Sequence, residues 1–191
     1  MKLASKNKRW QQAGLPVVPV DINVSAVELK QADYLQQVSK ILMQSGLEVQ
    51  HLELEVTERI AIDGNDEGIR DLLALKEMGV RLSIDDFGTG YSSLSYVKRL
   101  PFDSVKIDTS FVRDIQTDAN DAKIVTAIIK MSHSLGFSVI AEGVESTAQL
   151  QFLKETECDE IQGYFISRPL TAEDFTNLLE ANNTKYSYVR T

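Results

Sequence analysis

Three times along this chain an amphipathic helical stretch runs into a glycine, and a β-branched strand begins within a few residues. Leu35, Val38, Ile41 and Leu42 recur at helical spacing over residues 32–45 and stop at Gly46. Ile69, Leu72, Leu73 and Met78 stop at Gly79, and Ile124, Val125, Ile128, Met131 and Leu135 stop at Gly136. Glycine suits the left-handed residue that closes a helix, and β-branched runs favour the strand that follows. Repetition of helix, glycine and strand is the pattern of α/β units whose strands lie parallel.

Six strand candidates occur in succession, at 17–25, 51–58, 80–90, 104–108, 138–145 and 160–165. Each finishes on a polar residue able to touch a metal or a phosphate. These are Asn23, then Glu55 and Glu58, then Asp85 and Asp86, then Lys106 and Asp108, then Glu142 and Glu145, and finally Gln162. In a parallel α/β barrel that end of the strands is one face of the molecule, where the loops build active sites. Scattered surface charge would not keep this phase, so the placement predicts an active site.

The residue types narrow the chemistry. Asn23, Glu55, Asp85 and Asp86 are hard oxygen donors, suited to Mg²⁺ or Mn²⁺ rather than zinc. Adjacent aspartates on a strand normally point to opposite sides. At a twisted strand–loop junction the second can turn back, so that one carboxylate helps to bridge two ions. Two ions about 3.5–4 Å apart clamp the attacking and leaving oxygens of phosphodiester hydrolysis. Carboxylate neighbours favour the ammonium form of Lys106, which then orients a water or meets developing charge. That setting disfavours a Schiff-base aldolase, whose lysine needs apolar or cationic surroundings.

Plainer readings stand beside these. Asp108, before Thr109 and Ser110, reads equally well as a helix cap. Glu53 and Glu58 read as solvent-facing members of an alternating strand. His51 and His133 are isolated, without ligand spacing, and read as satisfied or surface residues. Phe87 and Tyr91 serve as core anchors of the Gly-rich loop at 86–93 as readily as they would stack on a base.

A length of 191 residues predicts one domain over 1–182 with a tail at 183–191, short of the about 250 residues of a full eight-unit barrel. The net charge of −8 excludes a polyanion-binding groove, although metal ions let an acidic chain bind a phosphorylated ligand. Cys158 is the only cysteine, which rules out an internal disulfide and suggests a reducing compartment. A polar helix over 3–13, with Trp10 on one face and Gly14 as its stop, follows the first residues in place of a signal sequence. With no 18-residue apolar run, the expected setting is cytoplasmic, without a membrane segment in this chain.

Six segments, taken together, resemble one family. They are Asp-Ile-Asn-Val-Ser (21–25), Glu-Leu-Glu-Val-Thr-Glu (53–58), Asp-Asp-Phe-Gly-Thr-Gly-Tyr-Ser-Ser-Leu (85–94), Val-Lys-Ile-Asp (105–108), Ala-Glu-Gly-Val-Glu (141–145) and Gln-Gly-Tyr (162–164). Intervals of 32, 30, 21, 36 and 20 residues separate Asn23, Glu55, Asp85, Lys106, Glu142 and Gln162. The set is similar to the EAL family of bacterial phosphodiesterases that cleave cyclic di-GMP.

The resemblance implies a modified (β/α)₈ TIM-type barrel and two-metal hydrolysis to linear pGpG, with Mg²⁺ or Mn²⁺ as cofactor. It implies that Asn23, Glu55 and Asp85 hold a first metal, with Asp85 bridging. Asp86 and Glu142 serve the second, and Lys106 positions the attacking water. Asp108 and Glu145 are supporting groups, Gln162 touches the ligand, and Glu58 braces the 86–93 loop, after which the family dimerises. No Glu-Ala-Leu segment occurs in this sequence. The resemblance therefore implies an incomplete barrel with the first two strands and one metal ligand missing, poor turnover, and exposed sheet edges that favour self-association. A non-catalytic module that binds cyclic di-GMP or dimerises is the alternative on the same scaffold.

Overall fold

The computed structural model describes residues 6–7, 10–58, 66–90 and 100–182, with backbone alone at 66–68 and 182. Strand β1 (Val20–Val24) leads into a short helix α1 (Ala26–Leu29) and then α2 (Tyr34–Ser45). Strand β2 (Leu52–Thr57), α3 (Asp66–Glu77), β3 (Arg81–Phe87) and β4 (Ser104–Ile107) come next. The chain continues through α4 (Thr109–Arg113), α5 (Ala119–Leu135), β5 (Ser138–Ala141), α6 (Thr147–Glu155), β6 (Glu160–Ile161) and α7 (Ala172–Asn182). The strands hydrogen-bond in sequence order from β1 to β6. The pairings β3–β4, β4–β5 and β5–β6 are parallel.

The α/β class expected from the helix–glycine–strand repeats is the observed one. All six expected strands are present but shorter than expected: β1 begins at Val20 rather than at residue 17, β5 stops at Ala141 and β6 at Ile161, so Glu142, Glu145 and Gln162 lie just beyond their strands. Gly46 and Gly136 close α2 and α5 in the left-handed region, at φ 64° and 85°. Of the helix expected over 3–13, residues 6–7 and 10–12 are helical and the others up to 9 lie outside the described residues. The expected tail at 183–191 also lies outside them.

The chain divides into two compact units. One comprises Met1–Glu55, Gly64–Leu82 and Pro169–Val189. Its core includes Leu54, Leu72, Leu75, Val80 and Leu82, all essentially inaccessible to solvent. A separate cluster joins Trp10, Leu15 and Leu179, with Val18 and Phe175 packed against it. The Trp10 indole N–H donates to Thr176 Oγ1 at 2.8 Å, and its ring centroid lies 5.3 Å from that of Phe175 at 55°. Helix α7 is thus pinned to residues near the start of the chain by an aromatic pair with a satisfied polar edge.

Strand β2 corrects one expectation. Glu53 is not solvent-facing; it is 4% exposed, and Arg81 Nε stands 3.1 Å from its Oε2. Alternation of apolar and polar residues signals one open face only where that face is left uncovered. A strand covered on both faces buries both sets, and a buried carboxylate then needs a cation.

The second unit holds Val56–Asp63, Ser83–Arg168 and Arg190–Thr191. Val105, Ile107, Val139 and Ala141 of β4 and β5 are fully buried, as are Val125 and Ile129 of α5. Helix α5 packs on β4, β5 and α4. Burial of each such Val or Ile side chain contributes about 1.5–3 kcal/mol, so this strand–helix–strand unit is a rigid base for the residues at its strand ends.

Cys158, just before β6, has a thiol directed at Glu160 O (3.3 Å) and Val139 O (3.5 Å). Burial pushes its pKa up to about 12. A thiol so held is almost wholly protonated at pH 8, and the thiolate is the reactive species. Alkylation of the native chain by iodoacetamide at pH 8 is expected to run at least about 100-fold slower than that of a free thiol. Mass spectrometry over time checks this, and labelling at the rate of glutathione would contradict it.

Candidate active site

The register of β3 against β4 explains the Asp85–Asp86 pair. Ile84 is opposite Val105 and Phe87 is opposite Ile107, so three steps along β3 match two along β4. The extra residue makes a bulge, the device by which strands re-aim side chains beside active sites. Asp86 takes a left-handed φ of 55°, a conformation that Asp tolerates better than most side chains. Asp85 Oδ1 accepts from the Asp86 N–H at 3.0 Å. Asp86 lies close enough to Asp85, Asp108 and Glu142 to feel their charges. Partial burial and then those three carboxylates, with a hydrogen bond to the Asp108 side chain, hold its pKa above the ordinary value.

Lys106 and Glu142 stand at neighbouring strand ends. Lys106 is buried, and its Nζ lies 2.6 Å from Glu142 Oε1. The Glu142 N–H donates to Ile107 O at 3.2 Å, carrying the β4–β5 ladder one residue past the strand. Asp108 fills both roles weighed for it. It is the N-cap of α4, accepting from the Ser110 N–H at 2.9 Å and from the Ser110 hydroxyl, and it is also part of the acidic group around Asp86.

Glu58 is buried, not solvent-facing as an alternating strand would have it. Its Oε2 accepts from the Gly88 N–H at 2.9 Å and the Gly90 N–H at 3.3 Å, bracing the loop that follows Asp86. A carboxylate that collects backbone N–H groups has its burial offset by charge-assisted bonds. Phe87 is buried as a core anchor. Tyr91, Ser92 and Ser93 of the 86–93 loop lie outside the described residues.

Gln162 follows β6, its N–H donating to Ala141 O at 2.8 Å and its carbonyl accepting from the Val144 N–H at 3.1 Å. At Gly163 a Cβ would sit 2.2 Å from Val144 O and 2.4 Å from Val144 N. The segment after β6 therefore lies directly on the turn after β5, where Glu145 is held by its N–H to Gln149 Oε1 at 2.8 Å. Asn23, exposed on β1, and Glu55, buried on β2, belong to the first unit.

His133 is satisfied by a hydrogen bond, whereas among the described residues His51 has only a longer approach to a carboxylate. His133 Nε2 is 2.7 Å from Asp159 Oδ2, and His51 Nε2 is 3.8 Å from Glu48 Oε2. Sequence reasoning overlooked Gln149, a buried amide with four hydrogen bonds. A signal was present, because Ser146 followed three residues later by glutamine is a capping-box pattern.

The second unit thus gathers Asp85, Asp86, Lys106, Asp108 and Glu142. The donor chemistry is that of a hard divalent cation, since crowded carboxylates are relieved by positive charge between them. Among the described residues, no three His, Cys, Asp or Glu side chains stand together in ligating position.

The raised Asp86 pKa has a definite sign. The folded chain holds this proton more tightly than the unfolded chain, so the contribution of Asp86 to stability is present below its ordinary pKa and lost as pH rises through the raised one. At pH 7 its charge counts against the metal-free fold. Asp86→Asn should raise the stability of the metal-free chain at pH 7 by roughly 0.5 kcal/mol, screening by solvent keeping the gain small. The gain should shrink at pH 4. Thermal melts at the two pH values check this, and a variant less stable than wild type at pH 7 would refute it.

Known proteins resemble this chain in sequence and fold. The EAL domain family model matches residues 2–169. The cyclic di-GMP phosphodiesterase NbdA of Pseudomonas aeruginosa is 46% identical over 169 residues, covering 88% of this chain and 22% of that protein. The solved PaMucR phosphodiesterase in complex with c-di-GMP superposes with a TM-score of 0.85 at 41% identity, over 90% of this chain and 70% of that one. A manganese and cyclic di-GMP complex of Klebsiella pneumoniae BlrP1 gives 0.76 at 32% identity, over 88% and 44%. The chain spans about a fifth of the length of the first curated relatives it matches, 21% and 22%. On the match of the family model over residues 2–169, the chain belongs to the EAL domain family.

Proposed function

We propose that the chain hydrolyses cyclic di-GMP to linear pGpG as a phosphodiesterase dependent on divalent cations, Mg²⁺ or Mn²⁺. The observation that carries this reading is the acidic group Asp85, Asp86, Asp108 and Glu142 gathered with Lys106 at the C-terminal ends of parallel strands β3, β4 and β5. The relatives' named activity, and the cyclic di-GMP and manganese in the solved structures, support it.

Asp85, Asp86 and Glu142 are the proposed ligands in the second unit, and Asn23 and Glu55 those in the first. Bound cations would neutralise the diester and make a water more acidic. Lys106, pinned by Glu142, holds the attacking water in line and offers an ammonium proton to the developing oxyanion. Glu58 fixes the backbone at Gly88 and Gly90 and so keeps the Asp86 bulge from relaxing. Asp108 and Glu145 support the strand-end turns, and Gln162 is a proposed contact to the ligand.

A second copy of the chain is the proposed partner, through the region after the 86–93 loop, by resemblance to the family. A cytoplasmic setting is proposed as well; no helix among the described residues is long and apolar enough to cross a membrane. A cyclic di-GMP-binding or dimerisation module without hydrolysis is the second reading, supported by the c-di-GMP bound in the solved PaMucR structure.

Chromatography of cyclic di-GMP incubated with Mn²⁺ or Mg²⁺, beside a Glu55→Gln control, tests the proposal. We expect pGpG from the wild-type chain and at least about 100-fold less from the variant. Bound but intact nucleotide favours the second reading. Equal turnover by wild type and variant overturns the ligand role of Glu55.

A further inference from the structure

We propose that Gln149 is a positioning residue for Glu142, its carboxamide tying the turn after β5 to the C-terminal end of α4 and so fixing where the Lys106–Glu142 pair stands. Gln149 is 6% exposed. Its Oε1 accepts from the N–H groups of Glu145 (2.8 Å) and Ser146 (2.9 Å). Its Nε2 donates to the carbonyls of Val112 and Arg113, each at 3.2 Å. A glutamine amide offers two donors and two acceptor lone pairs, and all four are used here. The same network fixes which end is oxygen, because the flipped amide would set donors against donors.

A helix cap alone needs only the bond to the Ser146 N–H; the other three reach outside the cap. Two of them satisfy carbonyls in the last turn of α4, where the carbonyls of an α-helix have no partner within the helix. Asp108 caps the other end of α4, so the helix is held at both ends. The turn from Glu142 to Glu145 lies against the start of α4, where a Cβ on Gly143 would come 2.4 Å from Thr109 Cγ2. Removing the Gln149 amide frees the turn from α4. Glu142 keeps its N–H bond to Ile107, and Val144 keeps its bonds to Gln162 and Phe165, but with the far end of the turn released Glu142 is held less firmly beside Lys106.

The consequence for metal binding rests on the phosphodiesterase reading; the clamp itself does not. Two readouts on the full chain therefore separate them. The first is amide hydrogen exchange by NMR. Gln149→Leu should speed exchange at Glu142, Glu145 and Ser146 by at least about 10-fold, leaving the Val139 N–H, bonded to Asp159, within about two-fold. The second is Mn²⁺ affinity by electron paramagnetic resonance for wild type, Gln149→Leu, Glu142→Gln and the double variant. Each single change should weaken Mn²⁺ by about 10–100-fold, and the double variant should bind no worse than Glu142→Gln alone. Unchanged exchange at Glu142 overturns the proposal, as does Mn²⁺ affinity equal to wild type in Gln149→Leu, or losses that add fully. A wild-type chain that takes up no Mn²⁺ overturns the metal reading, and the exchange rates then decide whether Gln149 holds Glu142. Gln149→Glu keeps the acceptor arm and loses the donor arm, so if Gln149→Leu fails to fold, faster exchange at Glu142 and weaker Mn²⁺ binding in Gln149→Glu test the tie to α4 while Glu145 and Ser146 stay protected.

Discussion

Lys106→Met is expected to lower cyclic di-GMP turnover by about 10²–10⁴-fold while leaving Mn²⁺ uptake at least as tight as in wild type. The two effects part because Lys106 supplies positive charge, not a metal ligand. Its Nζ sits 2.6 Å from Glu142 in a setting already crowded by Asp85, Asp86 and Asp108. Deleting that ammonium deepens the negative potential, which draws a divalent cation more strongly, while nothing is left to hold the attacking water or meet charge on the diester. Stability should fall as well. Breaking a buried ion pair costs about 3–5 kcal/mol, and the side chain of Glu142 keeps 18% of its surface open to water, which places the loss at the lower end or below. Turnover and Mn²⁺ titrations on the same preparation decide it. More than a tenth of wild-type turnover in Lys106→Met would end the assignment of Lys106 to the reaction, and a parallel collapse of Mn²⁺ affinity would show that it acts by holding the site together.

Trp10→Ala should destabilise the chain by about 3–5 kcal/mol, the usual range for truncating a buried large aromatic. Trp10 is the centre of a small cluster with Leu15, Leu179, Val18 and Phe175, so its loss leaves a void that few neighbours can fill. Trp10→Phe should cost much less. It keeps a ring against Phe175 and gives up only the N–H bond to Thr176, whose hydroxyl retains its own acceptor at Ala172 O, 2.8 Å away. Denaturant titrations of both variants test the order. A loss below about 1 kcal/mol for Trp10→Ala would mean that α7 is held elsewhere.

Much of the fold was open to sequence reading because its signals are local. Gly46 and Gly136 end their helices where expected, and all six strands follow suit, since a helix stop and a β-branched run need no knowledge of distant residues. The grouping of Asp86, Lys106, Asp108 and Glu142 also followed from phase along parallel strands. What escaped depends on partners. The burial of Glu53 is decided by what covers β2 and by Arg81, 28 positions away in sequence (53 to 81). The bulge at Asp85–Asp86 is a property of β3 against β4, invisible in either strand alone. Gln149 shows its cap in the sequence, but its reach to Val112 and Arg113 exists only once α4 and α6 are packed.

Gly163 and its neighbour Gln162 answer to different masters. The glycine is fixed by the backbone of Val144, which leaves no space for a methyl group, and that demand persists whether or not the chain cleaves anything. A descendant that had lost Lys106 and Asp85 and decayed into a silent relative would still keep the glycine for as long as it folded. Within this dipeptide, then, Gly163 diagnoses architecture alone, and a search for living enzymes among such chains gains its discrimination from residues that packing does not already dictate.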